Sequence, residues 1–223
     1  MTYFGKIYTY PNNPRVEKIQ AVANLSSLEI LIDPDFQMGV TNRSPEFLAK
    51  FPLGKAPAFE GSDGTLLVES DAIAQYVAES GPAKDQLLGV LPAERAQIRR
   101  WISFAEGDIM DAVVPFALWQ MKLVSYDEAA LEGYLAKLER ALAALETHLK
   151  AGNQKWLATA DKLSLADISM AAALAWGFVT VLDQELREKY PSVVAWYERT
   201  IESDGVKEAF GEKKFTEKRP SFK

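Results

Sequence analysis

The sequence predicts a small α/β domain joined to a larger all-helical one. Two observations carry the division. β-prone runs occur only ahead of Gly81-Pro82, and from Ala93 onward apolar residues recur at steps of three and four with nothing that reads as a strand. A third observation sets the boundary: Gly81 to Pro92 has the composition of a linker. A chain of 223 residues holds one large domain or two small ones, and the expected units are residues 1–82 and 92–215.

Lys6 to Tyr10 is a short β-prone run. In the loop Pro11-Asn12-Asn13-Pro14, Asn13 suits a helix cap and Pro14 the first helical position. Val16, Ile19, Val22 and Ala23, with Leu25 at the end, form the apolar face of the next helix. Leu28 to Ile32 reads as a second strand and Asp33 to Asn42 as irregular chain. Pro45 starts a short helix that ends at Lys50, before Pro52. Strand, tight turn, strand and helix then follow between Lys55 and Ser80. Asp63-Gly64 supplies the positive φ angles of the turn. Pro57 lacks a ladder donor and so opens a strand; its bond to Ala56 is a candidate cis peptide.

In the second half, Ala93 to about Met121 is a long helical pattern that Pro115 should kink or divide. Ser125-Tyr126-Asp127-Glu128 is a capping box. It opens a helix whose apolar side is Leu131, Leu135, Leu138, Leu142, Leu145 and Leu149. Ser164-Leu165-Ala166-Asp167 is a second cap of this kind. It precedes Ile168 to Phe178, apolar nearly all round and expected at the centre of the domain. Pro191 opens a last helix reaching about Ser203. The locally basic stretch Glu212 to Arg219 reads as a solvated tail.

Composition removes several functions. Hydrophobic residues are 48% and charged residues 25%, a globular balance, and the net charge is −6, which argues against nucleic acid as a partner. No apolar run approaches the ~20 residues of a membrane span, and the N-terminus lacks the apolar core of a signal peptide, so a cytoplasmic protein with no membrane partner is expected. The chain has no cysteine. It therefore supplies no disulfide, no thiolate metal ligand and no attacking thiolate of its own; no metal is expected. If it acts on thiols, the sulfur belongs to the substrate. The single histidine, His148, lies on an amphipathic helix and reads as structural.

The segment from Lys55 to Tyr76 carries the functional signal. A bent Ala56-Pro57 leaves the backbone of Ala56 facing outward, where an extended peptide can pair. Ser70, read as the N-cap of the following helix, favours a carboxylate. Glu69 beside it favours an ammonium. Together they suit a small zwitterionic peptide, although any hairpin leading into a capped helix could use the same residues.

The order Pro-strand-turn-strand-Glu-Ser-helix resembles the second half of the thioredoxin-like domain of cytosolic glutathione transferases, and the Ser164–Asp167 cap resembles the motif that precedes their central helix. Longer strings resemble one branch, the N-terminal domain of the gamma subunit of eukaryotic elongation factor 1B. They are Gly5 to Pro11, Thr41 to Leu48, Lys50 to Gly61 and Trp101 to Ile109. The resemblance implies a thioredoxin-like domain, then the helical transferase domain, with glutathione as co-substrate. Ala56 would pair with its cysteinyl backbone beside Lys55, Pro57 would be cis, and Glu69 and Ser70 would hold the γ-glutamyl end. Asn42 would contact the glycine carboxylate. A transferase activates the thiol with a donor and a helix N-terminus; here Tyr10, Asn12 and Asn13 occupy the place, with turn and cap chemistry as the other reading of the two asparagines. Arg15 would favour anions near the thiolate, with surface solvation as the simpler reading. The electrophile would lie near Met110, Val114, Phe116 and Trp119, unless these are core. A homodimer is implied, with the kinked helix after Pro92 packed on its mate and Phe51 in a loop that inserts into the partner. Two readings stay open: an enzyme, conjugating glutathione to a small electrophile or reducing peroxides with it, or a non-catalytic scaffold binding another translation elongation factor subunit. A stop just after Lys223 would favour the enzyme.

Overall fold

The computed structural model describes residues 3–151 and 155–219. Met1 and Thr2 of the expected first domain, and Lys223, lie outside the described residues. The first half builds a sheet of order β2-β1-β3-β4 from β1 (Gly5–Tyr8), β2 (Ile30–Ile32), β3 (Ala58–Gly61) and β4 (Leu66–Val68). β1 runs parallel to β2 and antiparallel to β3, and β3 antiparallel to β4. Alternation along β1 sends Ile7 to one face and Tyr8 to the other. On the first face Ile7 and Phe59 are fully buried against Ile19, Val22, Ile73 and Val77 of the helices α1 (Pro14–Leu25) and α3 (Ser70–Ser80). On the second, Tyr8 packs with Phe36, Phe47 and Phe51, where α2 (Pro45–Lys50) follows a short 3-10 turn over Thr41–Arg43. Phe51 is only 2% exposed and its ring lies 5.0 Å from that of Phe47. The expectation that it inserts into a partner is corrected: its own chain buries it, which stabilises the fold by about 1.5–3 kcal/mol.

The presumed linker contains a helix, α4 (Lys84–Leu88), anchored by buried Leu87 and Leu88. Beyond it come α5 (Pro92–Phe104), α6 (Asp111–Gln120), α7 (Glu128–Ala151), α8 (Leu165–Thr180), α9 (Gln184–Lys189), α10 (Pro191–Ile201) and α11 (Lys207–Phe210). Pro115 sits inside α6, and the break expected there lies upstream, as a π-helical segment over Ala105–Met110. The Asp111 N–H reaches back five residues to Glu106. Asp111 is also the residue whose carbonyl faces the Pro115 ring.

α8 is the centre of the helical domain: every residue but Val179 is buried, against α1, α5, α6 and α10. Its cap is as expected. Asp167 Oδ2 accepts from the Ser164 N–H and hydroxyl, each at 3.0 Å. Its Oδ1 accepts from the Leu157 N–H at 2.9 Å and the Trp196 indole at 3.0 Å. The cap of α7 is Asp127, which accepts the Ala130 N–H at 3.1 Å, rather than Ser125. The C-terminal stretch is not a solvated tail. Phe215 stacks on Phe178 at 4.6 Å, Arg219 pairs with Asp183 at 2.7 Å, and Lys213 reaches Glu17 of α1 at 2.7 Å.

Candidate functional site

Strand register gathers the expected site. Tyr8 pairs with Ala58, and Ala58 with Val68. The chain beyond Tyr8, the chain before Ala58 and the chain after Val68 therefore leave the sheet at one end. These are the loop of Tyr10 and Asn12, the Ala56-Pro57 pair, and Glu69-Ser70. Neighbouring strands lie about 4.8 Å apart, so the three stations span about 10 Å, the reach of three extended residues.

At the middle station the Ala56–Pro57 bond is cis. Pro57 is buried and Ala56 half-buried. Among the described residues, neither the N–H nor the C=O of Ala56 pairs with another backbone group, so this edge can take a peptide by strand addition. Lys55 is exposed next to it.

At the outer station the helix begins differently from the expectation. Glu69, not Ser70, holds the N-cap position, with φ 65 and ψ 113, and Ser70 is the first residue of α3. That conformation is sparsely populated for a residue with a side chain and costs about 1–3 kcal/mol. It leaves the Glu69 carboxylate exposed while Ser70, 5% exposed, sits at the open N–H groups of the helix start. The next residue, Asp71, pairs with Lys18 of α1, a lysine only 3% exposed. Glu69 also lines a cleft of about 630 Å³ between α3 and α5, with Asp71 and Glu79 on one side and Lys84, Arg95 and Arg99 on the other.

At the inner station Asn13 caps α1: its Oδ1 accepts the Arg15 N–H at 3.1 Å and its Nδ2 donates to the Thr9 hydroxyl at 3.1 Å. Buried and committed at both ends, it serves the cap. Asn12 is exposed, in the left-handed region at φ 56, and its carbonyl accepts the Trp176 indole N–H at 3.3 Å. Burial pushes the Tyr10 hydroxyl above the ordinary phenol range, with Arg15 pulling the other way. Tyr10 thus stays protonated and can donate a hydrogen bond rather than take a proton. Two hollows flank this loop. One, of about 420 Å³, has Tyr10, Asn12, Val16, Glu17, Ile32 and Phe36 in its walls. The other, of about 400 Å³, lies against the helical domain between Arg15, Glu106, Met110, Val114 and Tyr134. Of the residues expected around an electrophile, Met110 and Val114 line the second hollow, Phe116 is core, and Trp119 packs on Tyr126 at 5.3 Å.

Asn42 departs from its expected place at a glycine carboxylate. It is fully buried, and its amide holds the loop by accepting from the Gly39 N–H and donating to the Gly54 carbonyl, each at 2.6 Å. It presents no surface to a ligand. Three contributors escaped the sequence: Trp176, the Arg15–Glu106 ion pair at 2.6 Å, and the Lys213–Glu17 pair. Each joins residues 91 or more positions apart, and no local pattern signals such pairs. His148 is structural, with Nε2 2.9 Å from the Leu157 carbonyl.

Residues 4–79 match the family model "Glutathione S-transferase, N-terminal domain" and residues 108–204 "Glutathione S-transferase, C-terminal domain". The glutathione S-transferase-like protein FUS3 of Gibberella moniliformis is 50% identical over 219 residues, covering 98% of each chain. Elongation factor 1-gamma of Danio rerio is 36% identical over 221 residues; the match covers 98% of this chain and 48% of that protein, so the chain spans about half its length. Among solved structures, the GST-like domain of elongation factor 1-gamma from Saccharomyces cerevisiae superposes with a TM-score of 0.82 at 26% identity, covering 99% of this chain and all of that one. Glutathione S-transferase-I, bound with lactoylglutathione, does so at 0.80 and 25%, covering 93% and 98%. The thioredoxin-like sheet, the all-helical second half and these matches together make the chain a member of the glutathione S-transferase family, in the branch that includes elongation factor 1-gamma.

Proposed function

We propose that the chain is a glutathione transferase that joins the thiol of glutathione to a small electrophile. The observation that carries this is the register of Tyr8, Ala58 and Val68, which brings the loop of Tyr10 and Asn12, an unpaired peptide edge and a helix start to one end of the sheet. The γ-glutamyl ammonium would meet Glu69 and its carboxylate Ser70. The cysteinyl backbone would pair with Ala56, beside Lys55. The sulfur would then face the Asn12 amide and the Tyr10 hydroxyl near the N-terminus of α1.

A free thiol has a pKa of ~8.5 and reacts as the thiolate. A donor and a helix N-terminus at the sulfur favour the anion. Neither Asn12 nor Tyr10 needs to take the proton, which leaves to solvent. The thiolate then forms a carbon–sulfur bond with the electrophile in the hollow of Arg15, Met110 and Val114. A leaving group departs, or a proton from solvent completes an addition.

A second reading is a scaffold domain that docks another elongation-factor subunit, favoured by the 36% identity to elongation factor 1-gamma. Both readings are compatible with a twofold dimer and with domains dividing at 1–82 and 92–215. Titration with glutathione, monitored by thiolate absorbance and followed by an assay with a halonitrobenzene, separates them. Millimolar binding, a thiol pKa below the free value and thioether formation are expected of the enzyme. No binding at tens of millimolar would leave the scaffold.

A further inference from the structure

We propose that Trp176, in the helical domain, is a positioning residue for thiol activation: its indole N–H holds the Asn12 carbonyl and so fixes where the Asn12 amide stands at the sulfur. The inference rests on the transferase reading above and goes on to say which domain sets the geometry of the thiol.

The loop from Thr9 to Asn13 is tied down on both sides of residue 12 by the first domain itself. The Thr9 hydroxyl lies 3.2 Å from the Tyr10 carbonyl, and the Asn13 amide bridges Thr9 and Arg15. The peptide of Asn12 is different. Among the described residues its one hydrogen bond comes from Trp176, across 164 positions of sequence. At φ 56 Asn12 holds a conformation that asparagine tolerates without strongly preferring, so a contact that selects it also selects the direction of the side chain.

Trp176 is a rigid source for that contact. It is 8% exposed on a helix buried on nearly every side. Its carbonyl accepts the Thr180 hydroxyl at 2.5 Å. A methyl group at the neighbouring Gly177 would press on Val113 and Leu182, so the backbone there has no slack. Burial alone does not dictate the pairing, since among the described residues the buried indole N–H groups of Trp101 and Trp156 have no hydrogen-bond partner. The Arg15–Glu106 pair ties α1 to the π segment a turn away. The helical domain thus grips the thiol-facing corner at two points, and the one at Asn12 bears on the activating amide.

The test compares Trp176→Phe, which keeps a ring and removes the N–H, with Asn12→Gly, which keeps the backbone conformation and removes the amide. The readouts are glutathione affinity, the thiol pKa of bound glutathione and the pH profile of conjugation. At pH below the wild-type thiol pKa, Trp176→Phe is expected to bind glutathione as the wild type does. Its thiol pKa rises by about one unit, and in that pH range turnover falls about tenfold while KM for glutathione stays unchanged. In the Asn12→Gly background the same substitution adds nothing, because the group it positions is gone. If phenylalanine unsettles the core, 3-benzothienylalanine at position 176 keeps the indole shape without the N–H and gives the same readouts. A thiol pKa unmoved by loss of the N–H, or an equal loss with and without the Asn12 amide, overturns the inference and leaves the transferase standing. A wild-type protein that leaves the thiol at its free value overturns the transferase and this inference with it.

Discussion

Glu69 holds φ 65 at the start of α3 although a side chain resists that conformation. The strain falls on the residue proposed to meet the glutathione ammonium, so stability and binding should separate there. Glu69→Gly is expected to raise unfolding stability by about 1 kcal/mol and to weaken glutathione about tenfold or more, read by urea denaturation and calorimetric titration. A glycine variant no more stable than the wild type would show that the conformation carries no strain. Glu60 gives a pH-dependent case. The Lys50 ammonium at 2.6 Å, and then the Tyr8 hydroxyl at 2.7 Å, hold its carboxyl below the ordinary glutamate range. With the folded value below the unfolded one, this stabilisation is present at neutral pH and is lost as pH falls through the folded value. The pair is partly exposed, so Glu60→Gln is expected to cost about 0.5–1 kcal/mol at neutral pH and nothing in strong acid; a constant difference across pH would contradict it. At this scale the sequence was legible where a residue answers to its neighbours, as with the cis Ala56–Pro57 bond and the Asn13 cap. It was not legible at Asn42, whose burial depends on Gly39 and Gly54 closing around it.

Helices were read well where they are long and mispunctuated where they are short or strained. The leucines of α7 and the all-round apolar α8 declare themselves by period. The five residues of α4 are too few to show one. The π segment is a change of hydrogen-bond register ahead of Pro115, which no periodicity contains. The capping box of α8 was visible, but only the structure shows that its aspartate also binds the chain at Leu157 and the α10 indole of Trp196. Asp167→Asn places an amide donor against a buried N–H, either that of Ser164 or those of Leu157 and Trp196. The expected cost is about 2–4 kcal/mol, measured by chemical denaturation with the near-ultraviolet signal of Trp196 as reporter. A cost below about 0.5 kcal/mol would mean that the four bonds do not act as one network.

The two domains meet along α1 and α8, and the C-terminal segment binds them further: Lys213 pairs with Glu17, and the Asn24 amide donates to the Gly205 carbonyl at 2.9 Å. These long-range ties are why the tail looked solvated in sequence, where its basic residues had no visible partners. The cleft between α3 and α5 sets the carboxylates of Glu69, Asp71 and Glu79 against Lys84, Arg95 and Arg99. A second copy turned by a twofold axis can match acid to base there. Sedimentation is expected to show a dimer at low salt that weakens as salt screens these charges, and a monomer for Arg99→Glu; a wild-type monomer at low salt would contradict it. The claim on which the function depends is that one end of the sheet receives glutathione. A crystal soaked in the tripeptide measures this directly. The expected map has the cysteinyl backbone paired to Ala56, the γ-glutamyl group at Glu69 and Ser70, and the sulfur within hydrogen-bond reach of Asn12 or Tyr10. A map with that end empty at saturating glutathione, or with the tripeptide held elsewhere, would contradict the account.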